Sequence, residues 1–295
     1  MPNLSIITPI YNTQKYLNRC LDSLINQTLK DIEIICINDC STDNSLEILK
    51  EYQNKDKRIK IINLKENKKQ GYARNIALNE ANGEYIGFID SDDWIDLNYF
   101  EKLYTKAKEY DCDIALATNV RIGKNKYKKR LNITKEEIAI SLKDKINLCN
   151  QWKNECPTNK IYKKELLINN NITFSEGCFC EDKIFTTKAI YYSNKIISVP
   201  DIYYYYFENP TSTVNSKAKK HAKELINDKN KAKKEVINFL RQNNVSFADG
   251  KYWALEKEWK IFHLTILALK RSLYREGVYL FNFLPVFQRR LNEAA

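Results

Sequence analysis

Apolar residues in the first hundred positions come in short runs, separated by longer stretches with helical spacing. Leu4-Ser5-Ile6-Ile7-Thr8-Pro9-Ile10 reads as a first strand stopped by Pro9. Gln14 to Gln27 then carries Tyr16, Leu17, Cys20, Leu21, Leu24 and Ile25 on one helical face. Ile32 to Ile37 gives a second strand. It ends in the polar turn Asn38-Asp39-Cys40-Ser41-Thr42-Asp43-Asn44-Ser45, a capping-type start to another helix. A third strand over Ile59–Leu64, a helix over Gly71–Ala81 and a fourth strand over Tyr85–Ile89 follow. Strands alternating with helices in this way predict an α/β fold, a doubly wound and mostly parallel sheet flanked by helices.

In such sheets ligands bind beyond the carboxyl ends of the strands. That rule places Thr8, Pro9, Tyr11 and Asn12 after strand one, Asp39 after strand two, and Asp90, Ser91 and Asp92 after strand four, all around one crevice. Strand four runs abruptly into the carboxylates of Asp90, Asp92 and Asp93. Negative charge at that density calls for a cation, and oxygen-only donors suit Mg2+ or Mn2+. The competing reading is an acidic turn that caps the next helix. Asp39 can accept a hydrogen bond from a base N–H or serve as turn residue and cap, and Tyr11 can lie against a base. Gly71 permits a tight approach where the third helix opens. Arg74, in the first turn of that helix, can reach either a diphosphate or the carboxylates after strand four. No Gly-x-Gly-x-x-Gly and no Walker lysine occurs, which disfavours a dinucleotide dehydrogenase or a P-loop enzyme.

Further along, Asp111–Ala117 reads as a strand, Lys124–Arg130 as a solvated loop or hairpin, and Cys156–Leu167 as a turn entering a short helix. Glu181-Asp182, ahead of Ile184-Phe185, reads by itself as a helix N-terminal cap. Tyr203-Tyr204-Tyr205-Tyr206-Phe207 is strongly β-prone, and a flexible turn follows over Asn209–Val214. From Ser216 the pattern is helical and cationic. Leu255, Trp259, Phe262, Ile266, Leu269 and Leu273 form a helical stripe, and the aromatic run Val278–Phe287 precedes Arg289-Arg290. The organisation expected is residues 1–110 and 111–215 as two halves of one domain, with 216–295 as a basic helical extension.

Composition narrows the class. The 295 residues suffice for a substantial core, and 43% hydrophobic with 29% charged residues is ordinary for a globular protein. No apolar run is long enough to span a membrane, and no signal sequence opens the chain. The eight cysteines follow no disulfide framework and read as free thiols in a reducing cytoplasm. Most of the net charge of +11 sits after Ser216, where 17 Lys/Arg face 8 Asp/Glu. That segment suits either a helix pair packed on the catalytic domain or a second subunit, or a peripheral contact with an anionic inner-membrane surface. Nucleic-acid binding fits the charge but has no recognised motif, and no nucleic-acid partner is expected.

Five short motifs in order then carry a resemblance. They are Ser5-Ile6-Ile7-Thr8-Pro9-Ile10-Tyr11-Asn12, Ile37-Asn38-Asp39-Cys40-Ser41-Thr42-Asp43, Gly71-Tyr72-Ala73-Arg74-Asn75, Phe88-Ile89-Asp90-Ser91-Asp92-Asp93 and Phe174-Ser175-Glu176-Gly177-Cys178-Phe179-Cys180-Glu181-Asp182. Together they resemble the family 2 glycosyltransferases of GT-A fold. The resemblance implies a UDP-sugar donor and an inverting transfer to a glycan acceptor, lipid-linked, in lipooligosaccharide, capsule or other surface-glycan synthesis. It implies donor binding by Thr8, Pro9, Tyr11, Asn12, Asp39, Gly71, Arg74, Asp90 and Ser91. It further implies a Mn2+ or Mg2+ held by Asp92 and Asp90, Asp182 as general base, Glu181 as its support or an acceptor contact, and a minor diphosphate contact from the Asn209–Val214 turn closing over the donor. Cys40 departs from the glycine more common there. The alternatives are a metal-dependent nucleotidyltransferase, which would release pyrophosphate, and a non-enzymatic basic membrane-binding protein.

Overall fold

The computed structural model describes residues 1–123, 126–151, 154–210, 212 and 219–245. Residues Met1–Ala232 form one compact unit; a second begins at Lys233 and is described only through residue 245.

Strands β1 (Leu4–Ile10) and β2 (Ile32–Asn38) are buried at all seven positions each, so they show no polar alternation. That is the signature of a parallel sheet covered on both faces. β3 (Ile59–Asn63), β2, β1 and β4 (Tyr85–Phe88) lie side by side in parallel. The intervening helices are α1 (Gln14–Ile25), α2 (Ser45–Lys55) and α3 (Lys69–Glu80). Helix α1 buries Leu17, Cys20, Leu21 and Leu24, a three-four spacing that presents one face to the sheet.

Past β4 the sheet becomes mixed. Its order continues with β9 (Lys160–Lys163), β6 (Ile114–Gly123), β10 (Ile196–Phe207) and β5 (Trp94–Ile95); β7 (Lys126–Leu131) pairs with β6 and β8 (Glu137–Ala139) with β10. β9 is antiparallel to both β4 and β6, and β10 runs parallel to β6. The remaining helices are α4 (Tyr99–Glu109), α5 (Leu142–Cys149), α6 (Lys164–Asn169), α7 (Asp182–Tyr192) and α8 (Lys219–Gln242).

The α/β expectation is met, with local corrections, but the sheet is mixed. It is parallel from β3 to β4 and largely antiparallel beyond, where antiparallel pairing requires no crossover helix. Pro9 does not stop β1: it pairs with Ile37, and Ile10 with Asn38. Ile7 O accepts from Ile89 N on the β4 side, whereas Ile10 O accepts from Asp39 N on the β2 side. Pro9 therefore turns its nitrogen toward the β4 side, beyond the end of that strand, where no donor is needed. Of the basic run, residues 126–130 lie in β7, antiparallel to β6. Within Cys156–Leu167 the expected turn is in part a central strand, β9, before α6 begins at Lys164. The stripe from Leu255 to Leu273 and the aromatic run after it lie outside the described residues. Among the described residues no helix is long and apolar enough to cross a membrane.

Two packed layers position the crevice. On one face Leu4, Ile6 and Ile10 share a core with Leu17, Leu21, Leu49, Tyr99 and Leu103. Phe88, at the end of β4, meets Phe174 and Phe185 edge-on at 5.2 and 5.5 Å, and those two rings stack at 3.9 Å. This aromatic cluster seats α7 against the strand that ends in the acidic turn. Within the first unit, Asp228 of α8 accepts from Phe179 N, in the loop before α7, at 2.9 Å.

Candidate active site

The acidic turn Asp90–Asp93 is held by groups distant in sequence. Asp93 is fully buried; its Oδ2 accepts from Tyr204 O–H at 2.5 Å and its Oδ1 from Phe207 N at 2.8 Å. Burial, with Asp92 and Asp90 nearby, pushes the Asp93 carboxyl well above its usual range. Asp93 thus orients the turn. It does not cap the following helix, whose N-cap residue is Asn98. Ser91 is buried and accepts from Thr13 Oγ1 at 3.0 Å. Asp92 Oδ2 accepts from Asn209 Nδ2 at 2.9 Å. Burial and then the Asp90 charge push Asp92 up to about 6, with Asn209 opposing.

The loops after β1 and β2 are stitched to each other. Asn12 takes a left-handed backbone (φ 52°) and its Oδ1 accepts from Thr42 N at 2.8 Å, while its own N donates to Ser41 Oγ. Asn12 therefore shapes the loop that presents Tyr11, which is 48% exposed. Thr8 is fully buried, and its Oγ1 has no hydrogen-bond partner among the described residues. Asp39 is almost fully buried and accepts from Lys68 N at 2.8 Å, so it braces the start of α3 and does not cap α2. Burial raises its pKa, against the pull of the Lys68 and Lys69 amides.

Cys40 sits at φ 59°, a conformation that costs a residue with a Cβ roughly 1 kcal/mol relative to glycine. Its thiol makes only a 3.5 Å contact with Lys65 O. Cys40→Gly should therefore raise the melting temperature by about 1–3 °C, measured by calorimetry. A fall in melting temperature would show that the strain is relieved elsewhere.

Helix α3 joins these loops to the Glu181-Asp182 pair. A Cβ at Gly71 would lie 2.2 Å from Ser175 O, so only glycine lets the helix approach that backbone. Three residues on, the buried Arg74 donates through Nη1 to Glu181 Oε1 at 2.6 Å and through Nη2 to Asp90 Oδ1 at 2.7 Å. Burial would depress the Arg74 pKa, but Asp90, Glu181 and Asp182 outweigh it and hold the guanidinium firmly charged. Arg74 thus pairs with Asp90, one of the carboxylates after β4 that were open to it, and with Glu181 in addition.

Glu181 occupies the N-cap position of α7 but makes no side-chain capping bond. Its carboxylate is buried against Arg74 instead, and burial raises its pKa despite that partner. Asp182 opens α7 and is partly exposed. Burial of its carboxyl and the Glu181 charge push it up to about 7, with Arg74 pulling the other way. A carboxylate with that value is a competent proton acceptor near neutral pH.

The sequence-derived residues thus come from five segments, at the ends of β1, β2 and β4 and the starts of α3 and α7. A cavity of about 550 Å3 lined by Leu131, Ile133, Asn147 and Asn150 involves none of them. Among the described residues no three His, Cys, Asp or Glu side chains group to hold a metal by themselves. Asp90 and Asp92 do supply hard oxygen donors, and their mutual repulsion is what a divalent cation would relieve. The donor set fits such a cation shared with the oxygens of a bound diphosphate.

The glycosyl transferase family 2 model matches residues 5–170, more than half of the chain. The chain belongs to that family. It is 35% identical over 212 residues to glycosyltransferase GlyA of Streptococcus pneumoniae, covering 69% of this chain and 30% of the relative. It is 37% identical over 209 residues to a poly(ribitol-phosphate) beta-glucosyltransferase of Bacillus spizizenii, covering 69% and 32%. The chain therefore spans about a third of the length of these two relatives. A structure of Staphylococcus aureus TarS 1-349 in complex with UDP-GlcNAc superposes with a TM-score of 0.70 at 26% identity, covering 90% of this chain and 73% of that one.

The family match ends at residue 170, before Glu181-Asp182, so that pair rests on geometry and on its motif. Sequence reasoning did not assign Tyr204 or Asn209 to the acidic turn. The only available signals were a tyrosine inside an aromatic run and an asparagine in a turn, neither of which names a partner more than a hundred residues away.

Proposed function

We propose that this family 2 chain moves a hexose or N-acetylhexosamine from a UDP-sugar to a hydroxyl of a surface-glycan acceptor, with inversion. The observation that carries this reading is the Arg74 bridge, whose buried guanidinium ties Asp90 of the acidic turn to Glu181 beside Asp182 in one ion cluster. Donor and acceptor chemistry thereby share one crevice. The TarS complex with UDP-GlcNAc supports the donor class, and the beta-glucosyltransferase named for poly(ribitol-phosphate) supports a surface-polymer acceptor.

In this reading Thr8, Pro9, Tyr11 and Asp39 border the base and ribose, with Asn12 and Gly71 holding the loops in place. Residues 1–110 carry donor binding and 111–215 the acceptor side. Asp90 and Asp92 hold Mn2+ or Mg2+, which when bound stabilises charge on the leaving diphosphate. Asp182 takes the proton from the acceptor hydroxyl as that oxygen bonds to the anomeric carbon. The bond from that carbon to the diphosphate oxygen breaks, and UDP leaves with the electron pair. Glu181 and Arg74 fix the position of Asp182 and set its charge environment. The basic segment after residue 216 suits a lipid-linked acceptor approached at an anionic cytoplasmic membrane face.

The deciding experiment screens UDP-sugars for UDP release and sugar transfer with and without Mn2+. Asp92→Ala is expected to cut turnover at least about a hundredfold, with Mn2+ no longer restoring it. Pyrophosphate release, absence of transfer from every UDP-sugar, or full activity of Asp92→Ala would overturn the reading.

A further inference from the structure

The acidic turn is anchored from outside itself. Tyr204 contacts both Asp90 N and Asp93, Phe207 N donates to Asp93, and Tyr203 N and Tyr205 O–H donate to Asp96. All four belong to β10. Two residues past its end, Asn209 donates to Asp92 Oδ2 at 2.9 Å. Asn209 differs from the others because its bond lands on a carboxylate that the proposed reaction assigns to the cation.

We propose that Asn209 is a positioning residue for the divalent cation, orienting Asp92 through one oxygen as Arg74 orients Asp90. The inference rests on the metal reading above. Asn209 is itself 5% exposed, its N donates to Phe207 O at 2.8 Å, and its O accepts from Ser212 N at 3.1 Å. The amide is therefore delivered by a folded turn and does not sample rotamers in solvent. Its chemistry also suits the task. A neutral donor steers a carboxylate without adding to the negative charge beside Asp90, and without competing for the site as a lysine would. Outer-sphere partners of metal-binding carboxylates act in this way by fixing the ligand before the ion arrives.

The test measures Mn2+ binding to the full chain in the presence of UDP, from the free-Mn2+ electron paramagnetic resonance signal. Asn209→Ala should weaken Mn2+ binding about 10–100-fold while UDP affinity measured in EDTA stays the same. Asn209→Leu keeps the volume without the donor and should show the same loss, which covers the case in which the alanine variant folds poorly. Asp92→Ala separates the two layers of the argument. If Asp92→Ala abolishes Mn2+ binding and both Asn209 variants leave it unchanged, Asn209 is only a structural tie and the proposal falls. If Asp92→Ala itself leaves Mn2+ binding intact, the metal assignment falls and the role of Asn209 falls with it.

Discussion

Asp182→Asn is expected to lower kcat about a thousandfold while UDP-sugar binding is retained, because the amide keeps the shape of the carboxyl but accepts no proton. The unmodified enzyme supplies a second readout. With Asp182 pushed up to about 7, kcat/KM should rise with pH up to roughly that value and then level off. An aspartate near its ordinary pKa of about 4 would give a flat profile across this range. Stability should respond in the opposite sense. The folded protein holds the Asp182 proton more tightly than the unfolded chain, so that contribution is fully present below about pH 4 and is lost as pH rises through about 7. Asp182→Asn should therefore stabilise the fold relative to the unmodified protein at pH 8 more than at pH 4, followed by thermal melts at both. Retained turnover in the variant would remove Asp182 as the base.

Arg74→Leu should produce the largest loss of stability among single changes at the site. It removes the charge that both Asp90 and Glu181 share, and Glu181 is left buried with no counter-ion. Breaking a buried pair in this way costs about 3–5 kcal/mol, read from urea denaturation. Glu181→Leu introduced alongside should recover part of the loss, since the stranded charge goes with it. Arg74→Lys should not substitute, because a single ammonium nitrogen cannot take the places of Nη1 on Glu181 and Nη2 on Asp90. A loss below about 1 kcal/mol for Arg74→Leu would mean that Glu181 takes up a proton and stays buried neutral.

The parallel half of the sheet was legible because each of its strands is a run of apolar residues and each helix carries a repeating face. β9 was not legible. Four residues are too few to show a period, and Lys160, fully buried, donates to Cys156 O and Asn159 Oδ1, a destination no pattern reveals. β5, at two residues, exists only through its pairing with β10. At the site, Asp90, Asp92 and Asp39 stood out because charge directly after an apolar strand is costly unless used. Arg74 was visible as a candidate partner for the carboxylates after β4, and only folding brings Glu181 to it as well. Asn209 and Tyr204 are the opposite case, since their chemistry is unremarkable until Asp92 and Asp93 are brought alongside.

Helix α3 grips both sides of the crevice. Its Asn75 donates to Phe174 O and Glu176 and accepts from Phe174 N, while Gly71 lies against Ser175 and Arg74 reaches Glu181. The segment that leads to the proposed base is therefore built onto a helix of the proposed donor half. On that reading, recombination between relatives is not expected to exchange acceptor preference by trading everything after the fourth strand. The helix over Lys69–Glu80 and the stretch from residue 174 to 182 form one heritable part, and a chimera that splits them would inherit the proposed base without its mount.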